Sequence, residues 1–488
     1  MANARVYVLY TGGTFGMAPN RAVPGHPLSP LPIELLQPLL PSASTMFGNA
    51  DIHVVLEGLP LGRQIDSSSM VPSDWVEIAQ RIYSNYSKYD GFVVIQGTDT
   101  LSYTASALSF MFENLDKPIV ITGSQLPLGG ARTDAILNYC HSVMVAGYKA
   151  TDLPRICEVV VVFADKILRG CRTRKMSASA WTGFDSPNAP PLGEIGEHVR
   201  IFESQLRPAP LPGLGVQLHS ELVADVLDVS LYPGLRPDHL RLILGLKNIK
   251  GVILRTFGAG NAPDSSEFLC ALGDSVLEND KAIVNITQCP QGSVEMGLYE
   301  ASVGLMDLGV LSGLDMTPEA ALTKLMVLLG TRIGDQVRLQ MQISQRGEQS
   351  QSLFDIDFES RELMSDQRYS AYSQPDRRFK SHDLSVAVFR ISDLDVAMDE
   401  HLNVAPAIYV FMNAPRADPL KVGFPDRCIH MIELNGVAQN KGLKIVQPLP
   451  KELVRNIIGD SDIVLTLVPT PGVRFGFKRL SLSLFARA

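Results

Sequence analysis

The sequence predicts an α/β protein with a β-rich C-terminal part. Before residue 290, short apolar runs without alternation indicate strands that are buried on both faces of a sheet. Segments with helical spacing lie between these runs, as in sheets covered by helices. After residue 384, apolar runs follow one another and are separated by turn-forming residues. We therefore expect a larger N-terminal domain with a mainly parallel sheet flanked by helices, a smaller α/β second domain, and a sandwich-like third domain.

The N-terminal domain is predicted to span residues 1–210. Its strands are expected at 6–10, 54–56, 92–95, 119–122 and 159–163. A helix-start signal, Ser73 followed by Asp74, opens the first of three segments with helical spacing, which are 73–86, 101–113 and 134–145. The segment 192–214 holds Pro208, Pro210, Pro212 and Gly213 among polar residues, which predicts an interdomain linker.

The second domain is predicted to span residues 214–343. Strands are expected at 251–254 and 282–286, and helices at 264–272 and 318–329. Thr317 and Pro318 supply a cap and a first-turn proline for the last of these helices.

The remaining chain divides into a connector and a third domain. Residues 344–383 are rich in Gln, Ser, Arg and Asp and are predicted to form a solvated linker. Residues 384–488 are predicted to form the β-rich domain, with strands at 384–391, 407–411, 428–434, 462–468 and 473–484. Nothing in this domain marks a catalytic centre, so a docking module, a subunit contact and a ligand-binding appendage all remain open for it.

Composition narrows the function classes. A chain of 488 residues is long enough for two or three domains with sizeable cores. Its formal charge of −8 does not indicate binding to nucleic acid. The sequence contains no basic amphipathic run that would indicate binding to a membrane surface. The first apolar run is too short for a secretory signal, and no run approaches the roughly 20 apolar residues of a membrane span. We therefore expect a cytoplasmic protein with a small-molecule substrate.

Cysteine and histidine spacing predicts neither a metal site nor a disulfide framework. The nine histidines form no metal-ligand pair of the H-E-x-x-H type. The six cysteines show no C-x-x-C spacing and lie at Cys140, Cys157, Cys171, Cys270, Cys289 and Cys428. We expect reduced thiols, no metal and no cofactor.

Two hydroxyl-bearing loops follow predicted strands. The first runs from Thr11 to Thr14 through two glycines, and the second contains Thr98, Asp99 and Thr100 after Gly97. Glycine at a strand end lets the backbone approach a ligand, and the next helix offers unpaired N–H groups to a carboxylate or an oxyanion. A hydroxyl held there is a candidate nucleophile if a base activates it. The alternative is that these residues only cap a turn and a helix.

These loops resemble those of the asparaginase family, and more closely those of its cytoplasmic type I branch. The resemblance covers residues 4–340 and does not extend to the C-terminal part. Further segments that carry it are Asp66-Ser67-Ser68-Ser69-Met70, Ile121-Thr122-Gly123-Ser124-Gln125-Leu126-Pro127, Arg172-Thr173-Arg174-Lys175, Phe184-Asp185-Ser186-Pro187-Asn188, Phe257-Gly258-Ala259-Gly260-Asn261-Ala262-Pro263, Asn285-Ile286-Thr287-Gln288-Cys289 and Gly313-Leu314-Asp315-Met316-Thr317.

The resemblance implies an L-asparaginase that forms L-aspartate and ammonia through a threonine-linked acyl-enzyme. Thr14 would attack the side-chain amide carbon. Lys175 would act as the base and Thr98 as the hydroxyl between it and the substrate or water, while Asp99 would hold both. Arg172 and Arg174 lie close to Lys175 in the sequence and are candidates for lowering its proton affinity, which Asp99 would raise.

Substrate binding is implied at residues of three loops. Ser67 and Ser68 would bind the α-carboxylate, and N–H groups near Gly13 and Thr98 are candidate oxyanion donors. Asp99 is alternatively a contact for the α-ammonium group. The implied substrate-binding set is Asp66, Ser67, Ser68, Thr98, Asp99 and Ser124.

Two departures from the family pattern concern the same cleft. The family's mobile loop often carries a tyrosine that assists the nucleophile, whereas residues 15–30 contain none here. Ser69 stands where relatives usually carry an aspartate, which removes a carboxylate near the α-group site. We expect weaker substrate affinity and another group that polarises Thr14.

The resemblance also implies a homodimer or homotetramer, because the second domain lines a neighbouring subunit's site in the family. Type I relatives can bind substrate at a regulatory site, and Arg255, Thr287 and Cys289 lie on the matching segments. Arg255 pairing in an interface and Cys289 filling core space is the other interpretation.

Other functions stay open. A binding or scaffolding protein is the alternative class, with its purpose in the C-terminal domain. Within catalysis, the substrate alternatives are glutamine, an aminoacyl-tRNA amide and a lysophospholipid ester. The acidic balance disfavours RNA, and the lack of an apolar interfacial segment disfavours lipid. Glutamine differs by one methylene, which is worth only about 1–3 kcal/mol of discrimination.

Overall fold

The computed structural model describes residues 3–19, 22, 24–26, 28–41, 50–59, 64–278, 281–296, 300–358, 360–373, 384–398, 407–414, 427–434, 439–449, 454 and 463–487. The chain forms two compact units. The first contains Met1–Gly260, Ser265–Val294 and Leu308–Gln349. The second contains Asn261–Asp264, Glu295–Asp307 and Ser350–Ala488.

An eight-stranded sheet organises the first unit. Five neighbouring strands run parallel, and three antiparallel strands extend one side. In spatial order the strands are Val199–Ile201, Gly193–Ile195, Lys166–Arg169, Val159–Phe163, Ile119–Thr122, Gly91–Ile95, Ala4–Tyr10 and Ile52–Gly58. The predicted α/β class with a mainly parallel sheet is confirmed.

Alternating side chains of the parallel strands enter two different cores. Tyr7 and Leu9 pack on one face of the sheet with the helices Pro72–Asn85 and Leu101–Met111. Val6 and Val8 pack on the other face with the helix Ala135–Ala146. Both faces are covered, which explains why the strands are apolar throughout.

The smaller sheet of the first unit is fully parallel. Its four strands are Val226–Ser230, Gly251–Thr256, Ala282–Thr287 and Leu311–Ser312. The helices that accompany it are Pro237–Leu244, Ser266–Gly273, Pro318–Thr331 and Asp335–Met341. The expected Thr317 cap forms, since its side chain accepts from the Ala320 N–H, and Pro318 stands in the first turn.

Short elements complete the first unit. Hairpins pair Met17–Pro19 with Leu28–Pro30 and Arg174–Lys175 with Phe184–Asp185, and Phe112–Glu113 pairs with Gln217–Leu218. The remaining helical turns are Thr14–Gly16, Ile33–Leu36, Gln37–Leu39, Ser67–Ser69, Tyr86–Lys88, Tyr148–Thr151, Gly170–Arg172, Glu203–Gln205 and Asp274–Glu278.

The second unit contains two antiparallel sheets and the helix Glu300–Asp307. One sheet holds Gln351–Phe358, Arg479–Arg487, Leu384–Met398, Val473–Phe477 and Arg361–Ser365, with Gln439–Leu449 paired on Leu384–Met398. The other holds Tyr369–Ser373, Ile463–Pro469, Ala407–Met412 and Cys428–Glu433. Phe389 and Leu482 of the first sheet share one core with Val410 and Leu465 of the second. The expected β-rich, sandwich-like region is confirmed.

The predictions of two connectors are wrong in the parts of the chain that the structure describes. Within 344–383, Gln351–Phe358, Arg361–Ser365 and Tyr369–Ser373 are strands, because apolar residues there alternate with polar ones despite the polar average composition. Residues 374–383 lie outside the described residues. Within 192–214, Gly193–Ile195 and Val199–Ile201 join the large sheet, so the proline-rich part alone lacks strands.

Candidate active site

The two hydroxyl-bearing loops leave the large sheet side by side. Strands Ala4–Tyr10 and Gly91–Ile95 are parallel neighbours, with Tyr10 opposite Ile95. Beyond them, the backbone N–H of Thr11 and its hydroxyl both donate to the Ile95 carbonyl, at 2.9 and 3.0 Å. Thr11 is fully buried, so its hydroxyl serves this attachment.

Gly13 brings the loops into contact. Its φ of +85° is unfavourable for any residue with a side chain, and a Cβ there would lie 2.2 Å from the Cα and N atoms of Gly97. Thr14 and Thr98 are the residues that follow these two glycines. Thr14 begins the turn Thr14–Gly16 and is partly exposed, whereas Thr98 is buried.

The predicted substrate loop lies against the second motif. Asp66 caps the turn Ser67–Ser69, because its carboxylate accepts from the Ser68 N–H at 3.0 Å and from the Ser68 hydroxyl at 2.9 Å. The Ser67 hydroxyl accepts from the Asp99 N–H at 3.2 Å. The Ser67 carbonyl accepts from the Thr100 hydroxyl at 2.8 Å. Ile65 also donates to the Thr11 carbonyl, so all three loops form one cluster.

Lys175 belongs to this cluster, although it follows Asp99 by 76 residues in the sequence. Its Nζ donates to Thr98 Oγ1 at 2.8 Å and to Asp99 Oδ1 at 2.7 Å. The Lys175 side chain is 18% exposed and that of Asp99 is 64% exposed, so the ion pair borders solvent. Lys175 belongs to a short hairpin in which it pairs with Phe184. The structure therefore brings together three of the four residues predicted to be catalytic through direct side-chain bonds.

Arg172 and Arg174, which precede Lys175 in the sequence, each face a carboxylate from residues 315–319. Arg172 Nη1 lies 3.0 Å from Asp315 Oδ2, and both side chains are buried. Arg174 Nε lies 3.9 Å from Glu319 Oε1. Each arginine faces a carboxylate, which partly compensates its positive charge, and their effect on the proton affinity of Lys175 stays a prediction. Burial raises the pKa of Glu319, while Arg174 and Arg255 oppose that rise.

Ser124 is buried beside the loops but bonded elsewhere. Its hydroxyl donates to the Leu126 carbonyl at 2.6 Å, within the turn that follows strand Ile119–Thr122. A Cβ on the preceding Gly123 would lie 2.4 Å from the Gln96 carbonyl, so this turn packs against the second motif. The Ser124 hydroxyl thus stabilises this turn, and its contact with the substrate stays a prediction.

The three predicted regulatory residues lie at the ends of two neighbouring strands. Arg255 is opposite Ile286 in the register, one position before Thr287. The Arg255 guanidinium forms a two-point ion pair with Asp228, with Nε 2.7 Å from Oδ1. The Thr287 hydroxyl accepts from the Cys289 N–H at 3.0 Å, and Cys289 is exposed. The interpretation that Cys289 fills core space is therefore wrong.

Gln96 is a residue of this region that sequence reasoning missed. It is buried at the end of strand Gly91–Ile95, and its Nε2 donates to the Thr100 hydroxyl at 3.3 Å. Among the described residues, its Oε1 has no hydrogen-bond partner. The available signal was a long polar side chain placed directly after a fully apolar strand.

The described ranges of the chain hold neither a helix suited to a membrane nor a side-chain cluster suited to a metal ion. No helix in those ranges combines the length and apolar character needed to cross a bilayer. Within the same ranges, no three His, Cys, Asp or Glu side chains gather in a way that suits a metal ion.

Comparisons with known proteins identify the family. The family model for the asparaginase N-terminal domain matches residues 5–207, and that for the glutaminase/asparaginase C-terminal domain matches residues 225–340. L-asparaginase 1 of Escherichia coli K12 is 40% identical over 355 residues, which cover 71% of this chain and 98% of that protein. The 60 kDa lysophospholipase of Mus musculus is 38% identical over 346 residues, which cover 67% of this chain and 58% of that protein.

Solved structures lead to the same group. The crystal structure of L-asparaginase I from Vibrio cholerae is 37% identical and superposes with a TM-score of 0.64, covering 72% of this chain and all of that one. The L-asparaginase of Thermococcus kodakarensis is 31% identical with a TM-score of 0.61, over 71% of this chain and 99% of that one. The resemblance drawn from the motifs is confirmed: the chain belongs to the asparaginase family of hydrolases.

Proposed function

We propose that the protein is an L-asparaginase that hydrolyses L-asparagine to L-aspartate and ammonia. The observation that supports this most is the cluster in which Lys175 bonds Thr98 and Asp99, while Gly13 and Gly97 hold the loop of Thr14 against them. An amine, a carboxylate and two hydroxyls at one sheet edge are the groups that amide hydrolysis through an acyl-enzyme requires.

In the first half of the reaction, Thr14 is the nucleophile. Its oxygen forms a bond to the side-chain amide carbon of the substrate, and its proton is passed to the departing nitrogen. The C–N bond then breaks, ammonia leaves, and an aspartyl ester remains on Thr14. Backbone N–H groups near Gly13 and Thr98 stabilise the intermediate oxyanion, and removing one such donor typically costs a hundredfold or more in turnover.

In the second half, water attacks the ester carbon, the bond to the Thr14 oxygen breaks, and that oxygen takes up a proton as L-aspartate leaves. Thr98 accepts a hydrogen bond from Lys175, so its own proton points away from the amine in the ammonium form. When Lys175 is neutral the bond reverses, and Thr98 passes a proton toward it. This exchange removes a proton from the attacking water. Asp99 fixes Lys175 at 2.7 Å and keeps it in line with Thr98.

Substrate recognition uses the loop of Asp66, Ser67 and Ser68. The Ser67 hydroxyl accepts from Asp99, which leaves its proton for the α-carboxylate. Asp66 binds Ser68 and holds the loop in shape. The exposed Asp99 carboxylate is also available to the α-ammonium group, so the two roles proposed for it are compatible.

Regulation by the substrate is a further part of this proposal. An amino acid bound near Arg255, Thr287 and Cys289 would have to replace Asp228 as the partner of Arg255. This competition predicts weak binding. A sigmoidal dependence of rate on asparagine supports such a site, and hyperbolic kinetics over all concentrations contradict it.

The working form is proposed to be a cytoplasmic homodimer or homotetramer. The basis is the family's use of the second domain to line a neighbouring subunit's site. Light scattering at catalytic concentrations measures the assembly directly, and a monomer with full activity would contradict it.

A lysophospholipid esterase is the second candidate, because a mouse relative at 38% identity carries the name lysophospholipase. An ester differs from an amide only in its leaving group, so the same threonine chemistry serves both. This chain spans 58% of that relative, so the relative contains much sequence that the alignment does not cover.

One assay series separates the candidates. Ammonia release from asparagine and glutamine, and fatty-acid release from lysophosphatidylcholine, are measured with the full chain. Thr14→Ala is expected to abolish the activity that is found. Thr331→Ala is the matched control, because the Thr331 hydroxyl donates to the Val327 carbonyl within a helix. Normal turnover by Thr14→Ala, or ammonia release from neither amino acid, contradicts the proposed function.

A further inference from the structure

A cavity of about 230 Å³ lies in the first unit, at the opposite end of the helix Leu101–Met111 from the Thr98 and Asp99 loop. It is lined by Phe112 beyond the C-terminal end of that helix, by Glu158 before strand Val159–Phe163, and by three arginines. The helix has 11 residues, so about 16 Å of helix axis separates its two ends. The cavity is therefore distinct from the candidate active site.

The three arginines of the cavity are Arg169, Arg207 and Arg346, which come from three separated parts of the chain. Arg169 forms a two-point bond with Glu158, at 2.6 and 3.3 Å. Arg207 Nη2 donates to the Gln345 carbonyl at 3.0 Å. Arg346 Nε donates to the carbonyls of Ser109 and Phe112, both at 3.1 Å.

Carboxylates compensate only part of this charge. Glu158 is taken by Arg169, and Glu113 is bonded to His219 at 2.9 Å. The nearby Glu348 lies 2.6 Å from Lys324. Among the described residues, Arg207 and Arg346 have no carboxylate within ion-pair distance, and their resolved bonds go to neutral carbonyls.

Arg207 and Arg346 line the same cavity, and Arg207 donates to the carbonyl of the residue that precedes Arg346. Burial lowers the pKa of Arg346 and the positive charge of Arg207 lowers it further, while the carboxylates of Glu348 and Glu113 partly offset that fall. Like charges that face one partly enclosed space repel, and a bound anion relieves that repulsion. Guanidinium groups match carboxylate and phosphate oxygens with two parallel hydrogen bonds, which a point charge does not offer.

We propose that this cavity is a binding site for a small anion with a carboxylate or phosphate group, held by Arg207 and Arg346. Two positive charges favour a dianion over a monoanion. The cavity volume admits an anion of either charge with two to five carbons. Arg346 also donates from Nη1 to the Gln345 carbonyl at 3.1 Å, so the ligand would bind Nη2 of Arg346 and Nη1 of Arg207. The proposal is independent of the reaction at Thr14.

The first test measures binding of inorganic phosphate and of succinate to the full chain by calorimetry, at constant ionic strength set with chloride. One saturable site per chain is expected for at least one anion, and the preferred anion identifies the ligand group. Arg207→Gln is expected to weaken that binding about tenfold or more, since it removes a charge-assisted bond. Arg200→Gln is the matched control, because Arg200 is an exposed arginine on strand Val199–Ile201.

The second test needs no variant and so does not depend on how Arg207→Gln folds. Cys157 lines the cavity, whereas Cys270 and Cys289 are exposed elsewhere. The bound anion is expected to slow alkylation of Cys157 at least severalfold and to leave the other two rates unchanged, as read by peptide mass. Saturable binding of neither anion, unchanged affinity in Arg207→Gln, or equal effects on all three thiols would overturn the proposal.

Discussion

The backbones of Gly13 and Gly97 are in contact just beyond the ends of two neighbouring parallel strands, so closely that a Cβ on Gly13 would lie 2.2 Å from the Gly97 Cα. The residues that follow them are the two threonines proposed to carry out the reaction. Their mutual distance is thus set by a contact in which neither partner can carry a side chain. The positions of Thr14 and Thr98 depend on glycine as much as on the sheet below them.

Gly13→Ala is therefore expected to reduce kcat about a hundredfold or more, because a shift of about 1 Å at reacting groups has that cost. The change adds a clash and places alanine at a φ of +85°. Gly213→Ala is the matched control, since it has a φ of +91° but open space around its Cβ. Steady-state kinetics together with thermal unfolding separate lost activity from lost stability. Equal activity losses in both variants would show that strain alone is responsible.

Lys175 has two separable properties, a positive charge and an exchangeable proton. Lys175→Met removes both and is expected to abolish ammonia release without unfolding the chain. Lys175→Arg keeps the charge near Asp99, but a guanidinium does not release its proton at neutral pH. If Lys175 is the base, kcat of Lys175→Arg falls about as far as that of Lys175→Met. Near-normal turnover by the arginine variant would reduce Lys175 to an electrostatic partner.

Asp99 is proposed both to hold Lys175 and to bind the α-ammonium group. Succinamate, which is asparagine without its amino group, distinguishes these roles. If Asp99→Asn removes ammonium binding, the preference for asparagine over succinamate in kcat/KM drops about tenfold or more. If Asp99 only holds Lys175, both substrates lose kcat equally and the preference is unchanged. Asp66→Asn is the comparison variant, because Asp66 bonds Ser68 of the same cluster.

The sequence permits a good prediction of the strands and of the two loops that follow them. Apolar runs such as Gly91–Ile95 need no partner information, and loops at the carboxyl ends of neighbouring parallel strands must meet. Lys175 is different, since 76 residues separate it from Asp99. No local periodicity brings that hairpin to the loops, so only the family resemblance indicated it.

The mistaken connector over 344–383 has a physical reason. Composition treats Asp355 and Asp357 as signs of solvation, yet they alternate with Phe354, Ile356 and Phe358 in a strand pattern. A charged residue is likewise expected at the surface, but Glu348 is fully buried with Lys324. Long-range ion pairs of this kind leave no signal in a local window.

The Glu348 and Lys324 pair makes the end of the first unit sensitive to acid. Burial opposes ionisation of Glu348, but the Lys324 ammonium and the N–H groups of Arg346 and Gln345 lower its pKa to about 2, from an ordinary value of 4.5. A lowered pKa in an acid adds stability above pH 4.5 that is lost as the pH falls toward 2. Glu348→Gln leaves a buried amine without its counterion, which costs about 3–5 kcal/mol. In urea unfolding, the free energy of unfolding of Glu348→Gln is expected to lie far below that of the wild type at pH 7. This deficit is expected to shrink below pH 4.5. A deficit that is constant with pH would contradict the ion pair.

Truncation tests the same ion pair by removing Glu348 from the chain. The first unit ends at Gln349, and E. coli L-asparaginase 1 aligns with this chain over 98% of its own length. A chain ending at Gln349 keeps Glu348 and is expected to fold and to release ammonia. A chain ending at Gly347 loses the carboxylate that compensates Lys324 and is expected to unfold at several degrees lower temperature or to be recovered insoluble. The two products differ by two residues, so the comparison isolates this end from the role of the second unit. Equal stability of both would show that Lys324 is accommodated without Glu348, by the carbonyls of Met341 and Ile343 that its Nζ also bonds.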